Sequence, residues 1–229
     1  MDTMLIKNFP PPPALREYIT KYQVIRFLFD KNSVLPIKYH TPHPEHCITF
    51  YVKDLQKYSS IDSATITTYP RCVVNGMYDV PINRHGGYDF LAIKVVLQPG
   101  ILFRLTGIPP QELANSYIDA EVLWGKEPRM TCEHLMNVQT LREMFSLLEI
   151  FLTNLFTFHV KRSPHPVDKA SQFILHQKNP ASIEWLADQS CLSKRQFIRK
   201  FEERVGKSPK SFDRVTRFDR AYRIMVQKN

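Results

Sequence analysis

Residues 182–212 read SIEWLADQSCLSKRQFIRKFEERVGKSPKSF, and this stretch decides the fold of the C-terminal part of the chain. Ser182 can cap a helix, because its hydroxyl accepts an orphan backbone N–H. Behind it Ile183, Leu186 and Ala187 fall on one side, and the small Ala187 lets a following helix approach closely. Ser193 opens that helix, and Gln196 three residues on completes a capping box. Phe197 and Phe201 are one turn apart and face inward. Lys194, Arg195, Gln196, Ile198, Arg199 and Lys200 fall largely on the other faces. Gly206 supplies a left-handed residue after the helix, and Ser208-Pro209 starts another with proline in its first turn. Two short helices joined by a tight turn, the second studded with Lys and Arg, form a device for entering the DNA major groove. The spacing predicts the recognition helix at residues 193–204.

Working outward, residues 167–177 are amphipathic, with Ala170, Phe173 and Ile174 inward, and Asn179-Pro180 ends that helix. The final helix presents Phe212, Val215, Phe218, Tyr222 and Met225 at helical intervals, with Lys210, Arg214, Arg217, Arg220 and Arg223 on its exposed side. The charge supports the division. Residues 160–229 hold 16 Lys/Arg against 7 Asp/Glu, whereas residues 1–159 hold 15 of each, so the entire net charge of +9 belongs to the last third. A neutral module joined to a basic one suggests a sensor or scaffold attached to a polyanion-binding unit. Residues 161–166 (KRSPHP) form the linker, since two prolines within three residues cannot continue a helix. The expected domains are 1–160, the linker 161–166, and 167–229.

The N-terminal module changes pattern along its length. Residues 9–13 (FPPPP) open it in extended form, and residues 14–20 can form a short helix. Apolar, β-rich runs follow at residues 23–29, 47–52, 64–69, 71–74 and 90–97, separated by Pro42, Pro44, Asp54, Pro70, Asn75-Gly76, Pro81 and Gly86-Gly87. Short strands spaced by such breakers predict an antiparallel barrel or sandwich, and Asn75-Gly76 reads as a hairpin turn. After residue 100 the reading turns helical: residues 101–106, residues 110–118 with proline at the entry position, and residues 139–160. In the last of these Leu141, Phe145, Leu148, Leu152 and Leu155 share one side, as core or as a dimer seam. The fold class is thus α+β, a β-rich sensor with packing helices before an all-α helix-turn-helix domain.

Residues 167–229 resemble the DNA-binding domain of the AraC/XylS-type transcriptional regulators. The matching residues are Ile183-x-x-Leu-Ala187, Leu192-Ser193, Phe197-x-x-x-Phe201, Val205-Gly206-x-Ser-Pro209, Phe212 and Arg217-x-x-x-Ala221. In that family two helix-turn-helix units are joined by a long helix. The match covers the first unit and the joining helix, and the second unit is missing. Cys191 departs from the pattern at a turn where a small residue or glycine is usual. The resemblance implies double-stranded DNA as partner, with Arg195, Ile198 and Arg199 facing the groove and Lys194 and Gln196 flanking them. Arg suits guanine because its planar fork matches O6 and N7, while Ile198 offers only apolar contact, for example to a thymine methyl. Lys207, Ser208 and Lys210 are the expected phosphate contacts. Residues 10–155 are similar to the sensor region of some bacterial regulators, in which Gln98-Pro-Gly100 after a strand and the Gly107 to Leu113 segment (GIPPQEL) recur. That implies a cupin-like β-barrel used for sensing a small-molecule effector or for homodimerisation.

Other chemistry is weakly signalled. Cys47, Cys72, Cys132 and Cys191 show no CxxC spacing, which argues against structural zinc and a disulfide framework and suits a reducing compartment. His40, His43 and His46 are spaced by three, unlike a strand-borne His-x-His, and Pro42 and Pro44 place them in a loop; no metal is expected there. No phosphate loop, nucleophile elbow or His-Glu-x-x-His motif is present, so no catalytic residue and no cofactor are expected. The N-terminus lacks a signal-peptide pattern, and no run approaches a membrane span, so a cytoplasmic protein is expected. Two rival readings remain: a shortened sensor or dimerisation protein without effective DNA binding, and a cupin-type metalloenzyme using the three histidines.

Overall fold

The computed structural model describes residues 3–62, 65–177 and 179–227. Met1-Asp2, Ala64 at the start of the strand expected over 64–69, and the chain's end at Asn229 lie outside them. The chain opens with β1 (Thr3–Phe9), one 3-10 turn at Pro13–Leu15, and the long β2 (Ile19–Leu28). Then come β3 (Ile37–His40), β4 (Cys47–Tyr51), β5 (Lys57–Ser60), β6 (Thr67–Thr68), β7 (Cys72–Asn75), β8 (Ile82–His85) and β9 (Asp89–Leu97). Helix α1 (Ile101–Thr106), a 3-10 turn at Pro110–Leu113, β10 (Tyr117–Asp119), α2 (Ala120–Trp124), α3 (Glu127–Asn137) and α4 (Leu141–His159) follow. Helices α5 (Pro166–His176), α6 (Ile183–Gln189), α7 (Lys194–Val205) and α8 (Pro209–Gln227) complete the described chain.

All strand pairs are antiparallel, in a six-stranded sheet of order β1-β2-β9-β4-β7-β10 and a four-stranded sheet of order β3-β8-β5-β6. The fold is α+β, as expected, but the sheets are not closed into a barrel. Closure needs tilted strands long enough to ladder onto both neighbouring edges. The strands of the smaller sheet have two to four residues and do not reach the edges of the larger one.

Strand β9 shows how the layers are made. Leu91, Ile93 and Val95 point to a core shared with α1 and α4, while Phe90 and Ala92 point to a second core with Phe27, Tyr51 and Tyr69. Successive side chains alternate across a strand, so a strand covered on both faces must be apolar throughout. Helix α4 buries Met144, Leu148, Phe151, Leu152, Leu155 and Phe156 in the first core, leaving Ile150 and Phe158 exposed. A third core holds Val167, Ala170, Ile174, Leu186, Ala187, Phe197, Phe201, Val205 and Phe212, and Met77 of the β-rich part enters it. Between α4 and α5 residues 160–165 carry no helix, and Pro166 stands in the first turn of α5. No helix among the described residues is long and apolar enough to cross a membrane.

Three local expectations are corrected. Residues 14–20 do not form a helix: one 3-10 turn ends at Leu15, and Ile19 is already buried in β2. Residues 110–118 do not form a helix: a single 3-10 turn covers Pro110–Leu113, after which Asn115 at φ 56° turns the chain into β10. Asn75-Gly76 is no hairpin turn either. Asn75 ends β7, and a Cβ on Gly76 would lie 1.8 Å from the Leu113 carbonyl oxygen. Glycine there permits a close backbone approach.

Candidate nucleic-acid interface

Local chemistry builds the α6–α7 unit. Ser182 Oγ accepts from the Trp185 backbone N–H at 3.1 Å and starts α6. The chain turns at exposed Cys191, which adopts φ 54°. At the start of α7 the capping box is complete: Ser193 Oγ accepts from the Gln196 N–H at 3.3 Å, and Gln196 Oε1 accepts from the Ser193 N–H at 3.0 Å. Phe197 and Phe201 are fully buried with ring centroids 5.7 Å apart, and Phe212 of α8 meets Phe201 edge-on at 5.6 Å. Gly206 ends the helix at φ 85°.

Burial of that aromatic side turns the opposite side outward. Arg195 and Arg199 are exposed, four residues apart, and neither forms an ion pair among the described residues. The other expected groove residues are differently occupied. Lys194 is paired with Glu184 of α6 at 2.5 Å, the Gln196 side chain is committed to the cap, and Ile198 is half-buried. Lys200 pairs with Glu203 at 2.8 Å. Of the expected phosphate contacts, Lys210 is exposed, and Ser208 Oγ accepts from the Ser211 N–H at 3.3 Å as the cap of α8. Lys207 reaches back to Asp79 of the β-rich part at 2.6 Å. Burial would raise the Asp79 carboxyl, but the hydrogen bonds from Lys207 and Asn115 outweigh it and hold the group below its ordinary range.

Helix α8 departs from its expected pattern halfway along. Phe212 and Val215 are buried, Tyr222 is half-buried, and Phe218 and Met225 are 45 % and 55 % exposed. The third core covers only the first half of the helix, and the second half runs past the β-rich part. Its basic side is accordingly split. Lys210, Arg214 and Arg217 stay exposed, whereas Arg220 donates to the Leu175 carbonyl at 3.2 Å and Arg223 meets Glu45 at 3.1 Å.

There α8 borders a cavity of about 520 Å³ between the two sheets. Ile25, Phe27, Phe90 and Ala92 give it apolar walls, Lys38, His40 and Arg84 come from the four-stranded sheet, and Tyr222, Arg223 and Val226 stand at α8. Glu45 binds Lys21 at 2.7 Å, Lys94 at 2.8 Å and Arg223, and these cations overcome its burial to hold its carboxyl well below the ordinary range. Among the described residues Lys38 and Arg84 form no ion pair. They sit directly opposite in the β3–β8 register, where like charges repel. Arg84 Nε is buried without a hydrogen-bond partner among the described residues, and Lys38 Nζ lies 3.4 Å above the Phe27 ring. Burial pushes the Lys38 ammonium below its ordinary value.

His40 ends β3 rather than lying in a loop as expected, and its ring is 5.0 Å from that of His43. His40 is pushed well below its ordinary value by burial and by the nearby Arg84 and Lys94 charges. His43 Nδ1 meets Asp219 Oδ1 of α8 at 2.5 Å. His46 is buried beside β4. Among the described residues no group of three His, Cys, Asp or Glu is placed to hold a metal ion. Sequence reasoning missed Arg204, which lies on α7 but points inward to Asp168 of α5, Nε to Oδ1 at 2.7 Å and Nη2 to Oδ2 at 2.6 Å.

No family model matches the chain, and no curated protein does. Among solved structures it is similar to apo ToxT K231A from Vibrio cholerae, at 10 % identity and TM-score 0.52 over 89 % of this chain and 82 % of that one. A second ToxT structure from Vibrio cholerae aligns at 9 % identity and TM-score 0.45 over 91 % and 84 %. The AraC-like transcriptional activator CuxR aligns at 14 % identity and TM-score 0.34 over 88 % and 77 %. The first likeness shows a shared fold, an N-terminal β-rich part followed by helices.

Proposed function

We propose that this chain is a transcription regulator of the AraC/XylS type, in which residues 167–229 read duplex DNA and residues 1–160 sense a small-molecule effector, with residues 161–166 as the link. The observation that carries the reading is the pair Arg195 and Arg199, exposed on the outer face of a capped helix whose inner face is locked by Phe197 and Phe201. Two guanidinium forks one turn apart on a rigid helix suit guanine O6 and N7 in a major groove. The fold shared with ToxT and the motif residues of α6–α8 support the same reading. The test is selection from a random duplex pool. The whole chain is expected to enrich a sequence, and Arg199→Ala to lower its preference for that sequence more than its affinity for the pool. A chain that enriches nothing, or an Arg199→Ala variant with unchanged preference, refutes it.

The cavity supports an effector carrying an anionic group on an apolar body. Part of its wall is apolar, and among the described residues the opposed Lys38 and Arg84 form no ion pair with a carboxylate. An anion between them relieves the cross-strand repulsion and satisfies the buried Arg84 Nε. Screening small carboxylates and phosphates by thermal shift is expected to find a compound that stabilises the chain but not Arg84→Gln. Equal stabilisation of both proteins refutes this site.

A further inference from the structure

We infer that the buried Asp168–Arg204 pair is the joint that sets the recognition helix on the β-rich part, and that Arg204 positions α7 without touching DNA. The inference rests on the DNA-reading function proposed for α7.

One carboxylate here meets three parts of the chain. Both Asp168 oxygens accept from the Arg204 fork at 2.7 and 2.6 Å, and the two side chains are only 9 % and 7 % exposed. Asp168 Oδ2 also accepts from the His165 N–H at 3.1 Å, fixing the first turn of α5 where it leaves the 160–165 segment. The third part is the turn that follows β9. Gly100, at φ +83°, packs on the carboxylate so closely that a Cβ there would lie 2.2 Å from Asp168 Oδ1. The Arg204 guanidinium itself lies 5.2 Å from the ring of Phe103 in α1, and its Nη2 donates to the Ser163 carbonyl at 3.4 Å. Beyond the joint, Gly206 presses on the 3-10 turn, where a Cβ would lie 2.8 Å from Pro110 C. The C-terminal turn of α7 is therefore seated on the β-rich part, and its N-terminal turn carries Arg195.

A bidentate Arg–carboxylate pair fixes an angle as well as a distance, which a lysine cannot do. Arg195 and Arg204 are nine residues apart, on the order of 13 Å along the helix axis. A 10° tilt about the Arg204 end moves Arg195 by roughly 2 Å, beyond the ~0.5 Å tolerance of a preorganised contact. The pair's energy alone does not explain it, since apolar replacements of buried ion pairs are often neutral. Its geometry does: loss of the fork frees the tilt.

The test uses the whole chain, a random-sequence duplex pool, and the duplex that the wild-type chain enriches from it. Removing one partner strands a buried charge and can unfold the protein, so Asp168→Leu/Arg204→Met removes both. The double variant is expected to lose about tenfold or more of its preference for the enriched duplex. Its affinity for the random pool and the salt dependence of that affinity should stay as in wild type. Arg204→Lys, which keeps the charge without the fork, should fall between. Weaker pool binding with a salt slope reduced by about 0.9 would make Arg204 a phosphate contact and overturn the inference; so would unchanged preference. A wild-type chain that enriches no duplex sinks the DNA reading instead. The joint is then decided by amide hydrogen exchange: the double variant should exchange faster in both Lys194–Val205 and Ile101–Thr106, and faster exchange in α7 alone overturns it.

Discussion

Replacing His46 by methionine should reduce the chain's acid sensitivity. His46 is 4 % exposed, and its Nε2 has no hydrogen-bond partner among the described residues. Burial pushes its imidazole from the ordinary 6.5 down to about 4. Between those values the unfolded chain binds a proton that the folded chain refuses, so stability rises with pH across the interval. The contribution is fully present above pH 6.5 and is lost as the pH falls from 6.5 towards 4. A tenfold difference in proton affinity corresponds to about 1.4 kcal/mol, which makes the whole effect about 3 kcal/mol, of which about 2 kcal/mol falls between pH 7 and pH 5. The assay is urea unfolding of wild type and His46→Met at pH 7, 6 and 5. Other acid-sensitive groups, such as Glu45, Asp219 and His40, are common to both proteins, so the difference between the two profiles isolates His46. The variant is expected to lose about 2 kcal/mol less than wild type between pH 7 and pH 5. Parallel profiles would show that His46 is protonated, or solvated, in the native state and that the burial reasoning is wrong.

Three other predictions follow from the helical part. Phe201→Ala removes a fully buried ring packed between Phe197 and Phe212; it should cost about 3–5 kcal/mol in chemical unfolding, and a loss below about 1 kcal/mol would exclude Phe201 from the core. Cys191→Gly relieves a left-handed residue at φ 54° and should raise stability by up to about 1 kcal/mol, whereas a drop would mean the thiol makes a favourable contact. Lys210→Ala should flatten the salt dependence of DNA binding by about 0.9 per log salt, and Lys207→Ala by clearly less, because Asp79 already holds Lys207 at 2.6 Å; equal slopes in a salt titration would contradict that division.

The helix-turn-helix was legible because every device in it is local. Ser193 and Gln196, Phe197 and Phe201, and Gly206 act within one or two turns, so spacing alone determines what they do. Strands β4, β7 and β9 were legible for a related reason: each is an apolar run between breakers, buried on both faces, and the apolar second half of β2 was legible although its burial is mixed. The strands missed, β1, β3, β5, β8 and β10, are exposed or mixed in burial. Their pairing energy lies in neighbours far along the chain, such as Ile37 opposite His85, and leaves no periodic trace. Helices α2 and α3 were missed because α2 is only five residues long and because few of their apolar residues are buried, Ala120 and Trp124 in α2, Cys132 and Leu135 in α3.

The sequence by itself determined the order of the parts, the capped helix and the Arg195/Arg199 pair it turns outward, since these follow from contacts within a few residues. Only the tertiary structure decided which cations are free. Lys207, Arg204 and Arg223 look alike in the chain, yet they end on Asp79, Asp168 and Glu45, between 36 and 178 residues away. The same long-range placement brings Lys38 and Arg84 face to face over an apolar cavity. A charge is neutralised by whatever lies within a few ångströms of it, and over such separations only the packed fold determines what that is.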